Sequence, residues 1–119
     1  MKIIGWILLA VVATWWLLSA RVGTAQDGSR IDGEEARALV EDGAVLLDVR
    51  TPGEFASGHI EGAVLVPVQD LASRPAALPS TDTPVVVYCR SGRRSASAAA
   101  WLRDAGYEAV YDLGPMSAW

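Results

Sequence analysis

One stretch of the sequence gathers residue types that can do covalent chemistry: Cys89-Arg90-Ser91-Gly92-Arg93-Arg94-Ser95. It holds the only cysteine of the chain and three of its arginines. Upstream, Pro84 opens a short apolar run, Val85, Val86, Val87 and Tyr88, which reads as a fully buried strand of a parallel sheet. Downstream, Ala96, Ala98, Ala99, Ala100, Trp101 and Leu102 favour helix, and Gly106 sits where helices usually close. Cys89 is therefore read as the first residue of a tight loop joining a strand end to a helix start. Successive N–H groups of such a loop, with the helix N-terminus, form an anion-binding nest. A thiol held in a nest has a lowered pKa, because the thiolate is the form the nest stabilises.

A lone cysteine is commonly a small buried hydrophobe, and clustered arginines are commonly a solvated patch. Position argues against both here. A core cysteine is expected inside the strand, not on a loop beside three cations. The chain is acidic, with a net charge of −4, so gathering positive charge in one loop suggests an anionic ligand. The reading is a reactive thiolate at Cys89, with Arg90, Ser91, Gly92, Arg93, Arg94 and Ser95 binding the substrate. Asp48 and Arg50 fall at another strand end on the same edge. They are read as structural, paired with each other or with backbone, since buried charge must be paired.

The elements that position this loop alternate in a βα pattern. Arg30-Ile31 reads as a short first strand. Asp32 with Glu35 resembles a capping box, and Ala36, Leu39 and Val40 give a helical stripe closed by Gly43. Ala44 to Val49 reads as a buried strand and Pro52 to Ser57 as a short helix started by proline. Ala63 to Val66 reads as a third strand stopped at Pro67, Val68 to Ser73 as a helical turn, and Arg74 to Thr83 as loop. After the central strand and long helix, Ala109 to Tyr111 reads as the last strand and Met116 to Trp119 as a terminal turn. This pattern implies an α/β domain, its mostly parallel sheet covered by helices on both faces. Ligands of such folds bind beyond the carboxyl ends of the strands, where Cys89 falls.

The Cys89–Ser95 loop resembles the active-site loop of rhodanese (sulfurtransferase) domains, C-R-S-G-x-R-S. Leu46-Leu47-Asp48-Val49-Arg50, Glu54-Phe55 and Gly58-His59-Ile60-Glu61-Gly62-Ala63 are similar to the D-V-R and G-H-I-x-G-A signatures of that family. The resemblance covers residues 30–119 and is nearest the single-domain periplasmic type, such as the rhodanese of the phage-shock system. It implies a five-stranded sheet and a structural His59. As the sole histidine, His59 could not build a multi-histidine metal site. Trp101 and Trp119 read as packing residues. One departure is Gly114-Pro115, where the family usually carries a Gly-Gly pair.

The chemistry so implied is attack of the Cys89 thiolate on the outer sulfur of thiosulfate or a related donor, leaving a persulfide. Cyanide or a thiol then takes the sulfur, and no metal or organic cofactor is required. Two alternatives stay open. One is a sulfur-carrier or redox module loaded by a partner protein. The other is a phosphatase or arsenate reductase of the same fold, whose Cys-x5-Arg loop is one residue longer than this one.

The first 25 residues differ from the rest. Lys2 is followed by an uncharged, mostly apolar run from Ile3 to Ala20, then Arg21 and the small residues Gly23-Thr24-Ala25. This reads as a signal peptide cleaved before Gln26, or as a retained membrane anchor through residues 3–20. Residues 26–29 read as a linker. In either case the domain is expected outside the cytoplasm, in the periplasm, where it could meet an exported thiol protein. Beyond residue 25 lie eight arginines, no lysine and fourteen acids, a net charge of −6, which argues against nucleic acid. A single cysteine forms no internal disulfide, so about ninety residues must rest on their core. The small size and the resemblance to single-domain periplasmic rhodaneses imply a monomer.

Overall fold

The computed structural model describes residues 30–119. The expected signal peptide or anchor at 1–25 and the linker at 26–29 lie outside them. In chain order the elements are α1 (Gly33–Glu41), β1 (Val45–Asp48), α2 (Pro52–Ser57), β2 (Val64–Leu65), a 3-10 turn (Val68–Ser73), β3 (Val85–Cys89), α3 (Arg93–Asp104), β4 (Val110–Pro115) and a final 3-10 turn (Met116–Ala118). The four strands form one parallel sheet in the order β2-β1-β3-β4. Among the described residues, the expected fifth strand is a single bridge between Arg30 and Asp112. It does not run on past Ile31, because Asp32 already caps α1 by accepting the Glu35 N–H at 2.9 Å.

Each strand of a parallel sheet is covered on both faces, and β3 shows why its sequence is uniformly apolar. Val85, Val87 and Cys89 face a core shared with Ala98, Ala99 and Leu102 of α3 and with Leu71. Val86 and Tyr88 face the opposite core, with Ala36 of α1, Leu46, Ile60 and Leu113. The period of two thus delivers the cysteine to the face under α3.

Several boundaries move from the sequence reading. β3 runs through Cys89, so the cysteine is the last strand residue and not the first loop residue. β4 reaches Pro115 because its pairing follows β3 to the end, with Cys89 opposite Pro115. A bulge at Val87/Tyr88 absorbs the extra residue there. α3 begins at Arg93, inside the stretch Cys89–Ser95 that the sequence reads as loop. Gly92, at φ 99°, ends the three-residue turn from β3 in a left-handed conformation that glycine adopts without penalty. α2 spans Pro52–Ser57 as expected and carries a capping box from Thr51 and Glu54.

Candidate active site

Cys89 lies at the carboxyl edge of the sheet and is fully enclosed. Its Sγ accepts the Gly92 N–H at 3.0 Å. Burial pushes the thiol pKa up. Hydrogen bonding from the Ser95 hydroxyl and from the N–H groups of Ser95, Gly92 and Ser91 outweighs it, so the pKa falls below the ordinary thiol value. The Ser95 hydroxyl is itself buried and lies 3.1 Å from the Gly92 carbonyl. It has one proton to give, so it serves that carbonyl beside a neutral thiol and is free to turn toward a thiolate.

The three loop arginines play unlike parts. Arg94 makes a bidentate pair with Glu54 of α2, at 2.6 and 3.0 Å. Arg90 is exposed and lines an open cavity of about 480 Å³ together with Arg50, Gly53, Glu54, Ser57, Gly58 and Met116. Arg93 is also exposed but does not line that cavity. Ser91 sits at the surface, and Gly92 is buried under Arg30, whose guanidinium a Cβ would strike at 2.6 Å.

At the cavity wall, Arg50 pairs with the buried Asp48. Arg50 Nε donates to both carboxylate oxygens at 3.0 Å, and Nη2 donates to Oδ2 at 2.7 Å. The second Nη2 bond, to the Gly58 carbonyl at 2.7 Å, fixes the end of α2. The Tyr88 hydroxyl donates to Asp48 at 2.6 Å and accepts the Ile60 N–H at 3.2 Å. Burial and the Asp48 carboxylate push that phenol up to about 12. His59 is exposed, stacked on Phe55 with ring centroids 3.6 Å apart, and bonded to the Phe55 carbonyl at 2.9 Å.

Sequence reasoning missed three participants. Tyr88 read only as strand filler, because a phenol at a strand end carries no motif. Arg30 read as part of a strand, though its side chain lies over Gly92 and Gly114. Glu54 was given no role, although Thr51-x-x-Glu54 is a capping-box spacing that marks a carboxylate held in place.

These features define a parallel α/β domain with a single thiol biased toward its thiolate form at the carboxyl edge of the sheet. The chain belongs to the rhodanese-like domain family, whose model matches residues 32–119, and is an enzyme of the rhodanese sulfurtransferase type. It is 41% identical over 87 residues to the thiosulfate sulfurtransferase GlpE of Stutzerimonas stutzeri, covering 73% of this chain and 79% of that one. It is 39% identical over 94 residues to a sulfurtransferase of Allochromatium vinosum, covering 76% and 87%. Among solved structures, the human single-domain sulfurtransferase TSTD1 superposes with a TM-score of 0.65 at 31% identity, covering 76% of this chain and 90% of that one. A rhodanese with anions from E. coli gives 0.59 at 32% identity, covering 64% and 91%.

Proposed function

We propose that the protein moves a sulfane sulfur from thiosulfate, or a related anionic donor, through a persulfide on Cys89 to cyanide or a thiol. The Cys89 thiolate attacks the outer sulfur of thiosulfate. A sulfur–sulfur bond forms to Cys89 as the bond to the sulfonate sulfur breaks, and sulfite leaves with the electron pair. The product on the enzyme is a persulfide anion. Cyanide then attacks its terminal sulfur, thiocyanate departs, and the Cys89 thiolate returns. A thiolate acceptor takes the same sulfur to give its own persulfide.

The observation that carries this reading is the 3.0 Å Gly92 N–H···Sγ bond at a thiol whose pKa is held down. N–H donors fixed in the fold stabilise thiolate and persulfide without reorganising. Arg90, the loop arginine on the cavity wall, draws the anionic donor in. Arg93 adds long-range attraction, and Ser91, Gly92 and Ser95 complete the cradle. Arg94, already paired to a carboxylate, binds the loop and not the donor. The domain works outside the cytoplasm, delivered by residues 1–25 as a cleaved signal or a retained anchor. There it meets small anions or an exported thiol protein as a monomer.

The test is intact-mass analysis of the purified full chain before and after thiosulfate, then after cyanide. The expected result is a gain of one sulfur atom, absent in Cys89→Ser and lost with release of thiocyanate. An unmodified protein that instead turns over a phosphate ester replaces this reading with a phosphatase. Reaction with neither substrate replaces it with a module loaded by a partner protein.

A further inference from the structure

The first turn of α3 is charged against its own dipole. Arg93 and Arg94 occupy it, no acid stands there, and Gly92 at the N-cap offers no side chain to the open N–H groups. Cations at a helix N-terminus oppose the macrodipole. The compensating acid comes from another helix, 40 residues away in sequence: Glu54 takes the Arg94 guanidinium at 2.6 and 3.0 Å. The same Glu54 Oε1 accepts the Thr51 N–H at 3.3 Å and the Thr51 hydroxyl at 3.2 Å. α2 buries none of its residues, so polar bonds of this kind hold it in place. One carboxylate ties the start of α2 to the start of α3 across the cavity wall.

We propose that Glu54 is a positioning residue for sulfur transfer, acting through Arg94 to fix the first turn of α3 and the N–H groups that face Cys89 Sγ. The proposal deepens the sulfur-transfer reading and rests on it for its biological meaning. Its physical content is separate, because charge and position predict opposite signs. Acting only as a charge, Glu54 partly neutralises Arg94, and its removal would lower the Cys89 pKa further. Acting by position, it keeps the N–H bonds to sulfur short, and its removal loosens them and raises the pKa.

The experiment titrates Cys89 by the pH dependence of iodoacetamide alkylation in the full chain, for wild type, Glu54→Gln, Arg94→Gln and the double variant. The expected result is a pKa raised by about 1 in Glu54→Gln, a roughly tenfold loss of thiolate below the pKa. The double variant should match Arg94→Gln alone, since Glu54 has nothing left to act through. Glu54→Asp, which keeps the charge on a shorter arm, should fall between wild type and Glu54→Gln. A lowered or unchanged pKa in Glu54→Gln overturns the proposal, as does a double variant whose shift is the sum of the singles. Alkylation needs no sulfur donor. A raised pKa in a protein that takes no sulfur from thiosulfate keeps the clasp and removes the sulfur-transfer reading, while turnover with an unshifted thiol does the reverse.

Discussion

Two arginine–carboxylate pairs each give one residue to the wall of the cavity that Arg90 lines, and they differ in almost every physical respect. Arg50 and Asp48 are 5% and 0% exposed, two residues apart, and further bonded to Tyr88 and Gly58. Arg94 and Glu54 are 32% and 25% exposed and 40 residues apart. Asp48 holds the Arg50 guanidinium above its ordinary pKa despite burial, and every fully buried polar atom of the pair has a partner. The buried pair is part of the frame, because removing either member strands the other without water. The half-exposed pair stands in reach of solvent, so its loss is tolerated by the fold and felt by the loop. Depth decides which carboxylate is architecture and which is adjustment.

That division predicts a large gap in stability. Asp48→Ala leaves Arg50 and the Tyr88 hydroxyl without their carboxylate and should cost about 3–5 kcal/mol in urea unfolding. Glu54→Gln, measured the same way, should cost no more than about 1 kcal/mol. Equal costs for the two would break the comparison.

Tyr88→Phe probes the buried side more finely. It removes a donor to Asp48 and an acceptor for the Ile60 N–H, and should cost about 1–3 kcal/mol. Tyr88 also gives the wild type an alkaline signature. Its folded pKa of about 12 lies above the ordinary tyrosine value of 10.0, so the unfolded state loses the proton first. The stabilisation is whole below pH 10 and drains away as pH rises toward 12. Wild-type unfolding curves should show this loss, and Tyr88→Phe should lack it.

The half-exposed pair has an acid signature of the opposite sign. The Arg94 guanidinium, together with the Thr51 donors, holds Glu54 at about 2, against an ordinary glutamate value of 4.5. Its contribution is complete above 4.5 and is lost as pH falls toward 2, as the carboxylate takes up a proton. The difference in stability between wild type and Glu54→Gln should shrink through that window. A difference that stays flat from pH 5 to pH 2 would show that Arg94 does not grip the carboxylate in solution.

Much of this is legible in the sequence alone, and the limits have physical causes. Val85 to Tyr88 announced a buried strand, and Pro52 announced the start of α2, because both signals are local. The place of Cys89 was misjudged by one residue. A strand ends where its partner stops pairing, and the partner here, Pro115, is 26 positions away. The motif also made the three arginines look equivalent. Only the fold shows that Arg94 meets Glu54, since no spacing rule links residues 40 apart. Asp48 and Arg50 were readable as a pair because they are two apart on one strand edge, whereas the Tyr88 hydroxyl joins them from the neighbouring strand.

The smallest effect concerns the two arginines of the Cys89–Ser95 loop that, among the described residues, have no carboxylate partner. Arg90 and Arg93 carry the same charge in the same loop, so a reading based on composition treats them alike. Arg90 lines the cavity and Arg93 does not. Arg90→Ala should raise the KM for thiosulfate several-fold with little change in kcat, because it removes an attraction made in the ground state and transition state alike. Arg93→Ala should change KM by about twofold or less, acting only through a field that salt screens beyond roughly 10 Å. Raising ionic strength should erase the Arg93 effect first and leave part of the Arg90 effect. If the two variants respond equally at all salt concentrations, the donor is drawn by the total charge of the loop, and the cavity wall confers no preference between its arginines.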